Sequence, residues 1–128
     1  MSHVAKVEVE IKDLTALETA CNKLGVTLER GQKTWVSYYG TDQCEHAITV
    51  PNSDYSVGVI KNENGTGFHL KFDSWGKHGR GITERVGDGC LKLSNEYSAT
   101  VATRQLVKQG FRVRRSMQAG RIVLKGER

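Results

Sequence analysis

The sequence lacks an apolar run close to the roughly 20 residues that a membrane-spanning helix needs. Its first residues also lack the charged and then apolar segments of a signal peptide. It contains one proline, and it has no proline- or serine-rich linker, internal repeat or low-complexity tract. A chain of 128 residues is long enough for one good hydrophobic core and too short for two. We therefore expect residues 1–128 to form one soluble, cytoplasmic domain.

Cysteine is scarce, which limits the structural chemistry that the chain can use. The three cysteines, Cys21, Cys44 and Cys90, are far apart and lie in apolar-patterned segments. This spacing argues against the disulfide framework of a small secreted protein. The pattern predicts three buried, reduced thiols.

Motifs for metal binding and nucleophilic catalysis are also missing. Neither Cys-x-x-Cys nor His-x-x-x-His occurs, so the spacing favours no zinc site, and we predict no metal and no cofactor. Cys44 and His46 would share a strand face, with His3, His69 or His78 as further ligands. For catalysis, the only candidate trio is Cys44, His46 or His69, and Asp73. Any chain with this number of cysteines and histidines offers such a trio.

Acidic residues are nearly absent from the end of the chain. The formal net charge is +5. Residues 1–111 contain 13 basic and 13 acidic residues, whereas residues 112–128 contain six basic residues against Glu127 alone. A local excess of one sign raises the concentration of anionic partners nearby. The charge distribution therefore favours an anionic ligand, with a merely solvated strand face as the alternative.

The first half of the chain predicts a strand, a helix and a series of further strands. Alternation over residues 3–11 is typical of a strand with one buried face. Asp13 is placed to cap a helix that ends at Gly25. Strands are then expected at 26–29, 34–39, 45–50, 54–61 and 67–72, with breaks at 40–42 and 51–53 and a turn at 62–65.

Residues 75–89 lose this pattern and contain five glycines, so we expect the longest irregular and mobile segment here. Its glycines could point successive backbone N–H groups at an anion, with Trp75 stacking on a base. The segment is neither a P-loop nor a dinucleotide fingerprint. A flexible connection with Trp75 in the core is the alternative. Four aromatic residues of the meander, Trp35, Tyr38, Tyr39 and Tyr55, could also line a pocket or stack on bases if they face solvent. Core positions or cross-strand pairs are the alternative for them.

The last third has the best-marked boundaries. We expect a helix over about Gly89–Gln109, capped by Asp88 and ended by Gly110, with Tyr97 on its buried face. A strand pair should follow over 111–125, turning at 118–120. Together these elements predict an α+β fold in the order β-α-β-meander-α-β-β, with two helices on one face of a mainly antiparallel sheet.

Both ends of the chain resemble a known family. The segments that carry the likeness are 1–3, 11–14, 16–17, Tyr97, 108–111 and 121–124, with weaker matches at 39–40, 54–58 and Trp75. They resemble a family of small conserved proteins of uncharacterised function, found in algal plastids, cyanobacteria, bacteria and bacteriophages. The resemblance implies a single α+β domain in one of these settings, and it supplies no catalytic residues. The glycine-rich segment and the strongly basic hairpin depart from the family pattern.

The leading functional hypothesis is a non-catalytic binding protein, such as a phage accessory protein, that captures an anionic ligand. The ligand would be a nucleotide-type molecule or nucleic acid. The alternatives are a protein-interaction module that docks on a host protein or self-assembles, and, third, a hydrolase-like enzyme. The expected ligand-binding residues are Trp75, Lys77, His78, Arg80, Arg112, Arg114 and Arg121.

Overall fold

A computed structural model describes residues 4–128, and within them it contains nine strands and three α-helices. The strands are β1 (Val4–Ile11), β2 (Thr27–Arg30), β3 (Thr34–Ser37), β4 (Gly40–Gln43), β5 (His46–Thr49), β6 (Ser56–Lys61), β7 (Phe68–Asp73), β8 (Arg112–Gln118) and β9 (Arg121–Glu127). The helices are α1 (Leu14–Lys23), α2 (Gly76–Val86) and α3 (Leu91–Lys108), and a 3-10 turn (Asp88–Cys90) precedes α3.

The centre of the fold is a five-stranded sheet in the order β1-β7-β6-β5-β2, with antiparallel neighbours throughout. Its front face carries Val57, Val59 and Leu70, which are fully buried in one apolar cluster with residues of α1 and α3. This arrangement confirms the predicted α+β class with a mainly antiparallel sheet. No helix within residues 4–128 is long and apolar enough to cross a membrane.

Helices α1 and α3 are tied together where α1 begins. Asp13 caps α1 as predicted, because its Oδ1 accepts a hydrogen bond of 3.0 Å from the Ala16 N–H. The hydroxyl of Tyr97, on α3, accepts from the backbone N–H groups of Lys12 (3.0 Å) and Asp13 (3.2 Å). Tyr97 is buried, as expected, and it also supplies polar partners that the periodicity of α3 does not predict.

The back face of the sheet is partly covered by the β3–β4 hairpin. Trp35 of β3 is 2% exposed and packs with Cys44 and Ala47. Its indole ring lies directly on Gly58 of β6, so that a Cβ at that position would be 2.6 Å from the Trp35 Cδ1. The break predicted at residues 40–42 is wrong, because these residues form strand β4 and pair with β3.

The segment predicted to be irregular is mostly helix α2. Ile82 and Val86 are four residues apart and fully buried in the main core, which places one face of a helix on the sheet. Gly79 is needed because a Cβ there would lie 2.1 Å from the Ser74 carbonyl carbon. Gly79 therefore allows the first turn of α2 to pack closely against Ser74.

The predicted start of the last helix needs correction. Asp88 does not cap it: residues Asp88–Cys90 form the 3-10 turn, and α3 begins at Leu91 without a side-chain cap. Cys90 has φ of 58°, and the chain changes direction at this residue between the 3-10 turn and α3. The other end follows the prediction, since Gly110 has φ of 90° directly after the helix.

Candidate functional site

Strands β8 and β9 form a two-stranded sheet of their own, which we call the ribbon, and it packs against α3. Its turn lies at Ala119 and Gly120, both with positive φ (51° and 75°). Positive φ at both central residues is typical of the tight turns that match the twist of a hairpin. The turn fixes the register of every pair that follows.

That register places four cations on one face of the ribbon. Arg114 is paired directly with Lys125, Arg112 with Glu127, and Gln118 with Arg121, and directly paired residues project to the same side. All four cations are exposed, and we call this set the basic face: Arg112, Arg114, Arg121 and Lys125. Glu127 is the one carboxylate in the ribbon, and it lies 3.9 Å from the Lys125 ammonium.

The opposite face of the ribbon holds it on α3. Arg115 donates hydrogen bonds from both guanidinium Nη atoms to the two carboxylate oxygens of Glu96, one of them at 2.8 Å. Lys23 of α1 lies 4.0 Å from the same carboxylate. The hydrogen bond from Arg115 lowers the pKa of Glu96 below its ordinary value, against the opposing effect of burial. This ion pair holds the face with Arg115 on α3, so that Arg112 and Arg114 project from the other side of the ribbon.

Arg121 lies at the turn end of the basic face and also borders a cleft of about 390 Å³ between α3 and β9. The α3 side of that cleft carries Asn95, Ser98, Ala99 and Ala102. Short side chains there leave room beside Arg121, and the amide and hydroxyl groups offer hydrogen-bonding partners. The sequence predicts Arg121 as a ligand-binding residue, but it does not predict this cleft. The apolar pattern of α3 does not show which strand lies beside that helix.

The other half of the predicted site lies at the start of α2: Trp75 directly precedes the helix, and residues 76–80 form its first turns. Lys77 and Arg80 are exposed, whereas His78 is engaged: its Nδ1 accepts from the Asp54 N–H at 3.0 Å, and its Nε2 lies 3.2 Å from the Asp54 carboxylate. The Gly79 N–H donates to the Trp75 carbonyl. The backbone N–H groups of the first turn of α2 have no partner within the helix, so the predicted contact of this segment with an anion stays a prediction.

Trp75 is 45% exposed and belongs to an aromatic cluster that the sequence does not predict as a unit. Its ring meets Tyr38 edge to face at 4.8 Å, and Tyr38 meets Tyr39 at 5.3 Å. Both tyrosines are 59% exposed in the β3–β4 turn. The fully buried Asp73 accepts from the backbone N–H groups of Tyr38 (2.8 Å) and Trp75 (2.9 Å). One carboxylate thus holds both segments of this aromatic cluster together.

The candidate catalytic trio is not assembled. The Cys44 thiol donates to the Gln32 carbonyl, and burial raises its pKa. His46 accepts from the Gly31 N–H at 2.8 Å, and both carboxylate oxygens of Asp73 accept from backbone N–H groups. Within residues 4–128 no three His, Cys, Asp or Glu side chains form a group that could hold a metal ion; His3 lies outside the described residues.

Comparison with known proteins adds no relative to this picture. The chain matches no family model, and no curated protein or solved structure is similar enough to count as a match. The resemblance to plastid, bacterial and phage proteins therefore stays a prediction that rests on the residues quoted for it.

Proposed function

We propose that this protein binds nucleic acid without catalysing a reaction, and that the basic face of the ribbon is its contact surface. The observation that carries the proposal is the alignment of Arg112, Arg114, Arg121 and Lys125 on one exposed face. Guanidinium and ammonium groups are the usual partners of phosphate oxygens. Neutralising phosphates releases counterions, and this release supplies most of the affinity of sequence-independent binding.

The shape of the ribbon suits this role. A two-stranded ribbon fits the major groove of a duplex, and its long arginine side chains reach phosphates from either strand. Because strands β8 and β9 contain no aromatic residue, we expect interactions with the phosphate backbone to dominate. Binding should therefore depend weakly on sequence and strongly on salt.

The test is a titration of fluorescently labelled single-stranded DNA, RNA and duplex DNA at two salt concentrations. Replacing Arg112 and Arg114 together by Ala should weaken binding and lower the salt slope by about 0.7 to 0.9 for each phosphate that is no longer neutralised. The matched control replaces Lys33 and Lys92 by Ala. It removes the same charge from exposed positions outside the ribbon and should leave the slope nearly unchanged.

Absence of binding to all three polymers at low salt, where attraction between charges is strongest, would sink the proposal. A shallow salt slope, with affinity reduced on changing Trp75 or Arg80 instead of the ribbon arginines, would point to a small nucleotide as the ligand. Turnover of a nucleotide panel would be required to support a hydrolase-like enzyme.

A protein-interaction module is the second candidate, and the aromatic cluster of Tyr38, Tyr39 and Trp75 favours it. Tyrosine and tryptophan dominate the energetics of protein interfaces, and here three of them are exposed together. Sedimentation of the wild type and of a Tyr38→Ser, Tyr39→Ser variant tests self-assembly. If the wild type self-associates independently of salt and this variant does not, the protein-interaction hypothesis would be favoured over nucleic-acid binding.

The resemblance of the chain ends suggests where such a protein would act. We propose the cytoplasm of a bacterium or of a phage-infected host, with a plastid as the alternative. An accessory protein that blocks a host component would fit the size of the chain. Co-purification of nucleic acid with the protein from a bacterial cell, with and without the two ribbon arginines, would test this setting together with the function.

A further inference from the structure

The back face of the central sheet has a second cleft, beside the region that the β3–β4 hairpin covers. It lies where β6 ends and β7 begins, and it has a volume of about 570 Å³. This cleft, which we call the back cleft, is lined by the cations Lys6, Lys61 and Lys71 and by His69 and Asn62. The basic face and the aromatic cluster do not contribute to its lining.

Two lysines stand side by side at the back cleft. Lys6 of β1 is paired directly with Lys71 of β7, so that both ammonium groups leave the same face of the sheet. Like charges at directly opposite positions destabilise a sheet. Lys6 has a partner in Glu8 at 3.7 Å, but Glu8 is 80% exposed. Lys71 is half-buried and forms no ion pair within residues 4–128, which leaves a positive charge to be compensated.

His69 lies next to this pair and is held in one orientation. It is 7% exposed, and its Nδ1 is 2.8 Å from the Asn62 Oδ1. Because the Asn62 amide nitrogen donates to the Thr66 carbonyl, the Asn62 oxygen faces the ring and the Nδ1 carries the proton. Burial, Lys6 and Lys71 together lower the pKa of His69. The Nε2 is thus the ring atom left for a ligand.

A buried donor without an acceptor lies beside the same row of residues. The Trp35 indole N–H has no hydrogen-bond partner in the described part of the chain. Its ring covers Gly58, which is paired directly with Lys71. An unsatisfied buried N–H is costly and uncommon in folded proteins. The back of the sheet therefore combines an uncompensated lysine, an oriented histidine and an unpaired donor.

We propose that the back cleft binds a phosphate group, as inorganic phosphate or as the phosphomonoester of a small molecule. Lys6 and Lys71 compensate its two negative charges. The bound dianion stabilises the imidazolium form of His69, whose Nε2–H then donates a hydrogen bond to one phosphate oxygen. Glu8 and Glu10 border the adjoining surface, and Glu63 lines the rim. These carboxylates repel an extended polyanion, so the site selects a small ligand and is separate from nucleic-acid binding on the ribbon.

The experiment follows the His69 ring resonances by NMR while pH is varied, with and without inorganic phosphate. A bound dianion stabilises the imidazolium form, so phosphate should raise the pKa of His69, and adenosine monophosphate should do the same if phosphomonoesters enter. Adenosine, which lacks the phosphate, should have no effect. No saturable change of the His69 resonances with either phosphate compound would overturn the proposal.

A lysine variant separates binding from general charge effects. Lys71→Met keeps the aliphatic stem that packs on the sheet and should weaken phosphate affinity by about tenfold or more. The unliganded variant should melt at a higher temperature than the wild type, because the repulsion with Lys6 is gone. Lys33→Met, outside the back cleft, should keep wild-type affinity. Equal affinity of Lys71→Met and wild type would refute the site, and the His69 titration decides the matter if that variant folds poorly.

Discussion

At the scale of single residues, Gly58 makes the sharpest steric demand in the sheet. Any Cβ would overlap the ring of Trp35, which is buried with Cys44 and Ala47. We expect Gly58→Ala to lower the free energy of unfolding by about 1–3 kcal/mol, the usual cost of overpacking a core. Urea denaturation of the wild type and of Gly58→Ala measures this difference in unfolding free energy.

Gly81→Ala is the control for this change. Gly81 lies in α2, where the nearest atom to a new Cβ is the Ser53 Cβ at 3.3 Å, and alanine favours a helix by about 1 kcal/mol over glycine. It should destabilise less than Gly58→Ala, because a shift of a few tenths of an ångström at Ser53 relieves this contact. If Gly58→Ala and Gly81→Ala are destabilised equally, then the contact between Trp35 and Gly58 is not the reason why position 58 requires glycine.

Tyr97 allows its ring and its hydroxyl to be examined separately. Tyr97→Phe keeps the packing and removes the acceptor for the Lys12 and Asp13 N–H groups, which should cost about 1–3 kcal/mol in unfolding free energy. Tyr97→Ala should cost about 3–5 kcal/mol, because a large buried aromatic is removed. The exposed Tyr38→Phe should change stability by no more than about 0.5 kcal/mol. A Tyr97→Phe variant as stable as the wild type would show that water replaces the hydroxyl.

At the scale of elements, the ion pair of Glu96 with Arg115 decides how the ribbon sits on α3. The folded-state pKa of Glu96 is below its ordinary value. The stability it contributes is therefore present above the ordinary pKa and is lost as pH falls through the folded-state pKa. Because the Arg115 side chain is 35% exposed, we discount the pair for screening and expect Glu96→Gln to cost about 1–2 kcal/mol at neutral pH.

Unfolding of the wild type and of Glu96→Gln across acidic pH measures this contribution. The two curves should converge as pH falls below the folded-state pKa of Glu96, since the wild-type carboxyl is then neutral too. Glu84→Gln, an exposed position on α2, is the control with the same charge change. If the difference in unfolding free energy between wild type and Glu96→Gln persists at low pH, then the variant is destabilised because the amide disturbs packing and not because a charge is lost.

At the scale of the whole molecule, the ribbon and the central sheet are separate hydrogen-bonded units. Strands β6 and β7 lie inside the sheet with fully buried side chains, whereas the ribbon packs on the rest through α3 and carries no buried residue. A shortage of buried apolar packing lowers the free energy of local opening. We expect amide hydrogen exchange in β8 and β9 to be faster than in β6 and β7.

Hydrogen exchange of Glu96→Gln extends this measurement. The change should speed exchange in the ribbon and leave the central strands nearly unaffected, because it removes the ion pair that holds the ribbon on α3. Uniform exchange rates across all strands would show instead that the ribbon and the sheet open together.

The sequence by itself determined those features that depend on neighbours along the chain. Alternation predicts β1 and the ribbon strands, Asp13 and Gly110 mark helix ends, and the charge count locates the excess of cations. The α+β class follows from the order of these elements. Arg112 and Arg114 on one face of the ribbon follow from the period of a strand, which needs no knowledge of the remaining chain.

Only the tertiary structure decided the features that join distant segments. The sequence does not predict that Asp73 holds Tyr38 near Trp75, that Lys6 lies beside Lys71, or that His78 is engaged by Asp54. Glycine lowers helix propensity, so residues 76–86 are expected to be irregular, yet the burial of Ile82 and Val86 against the sheet outweighs that preference. Local patterns specify each element, whereas the free energy of burying one element on another selects the pairs of surfaces that meet.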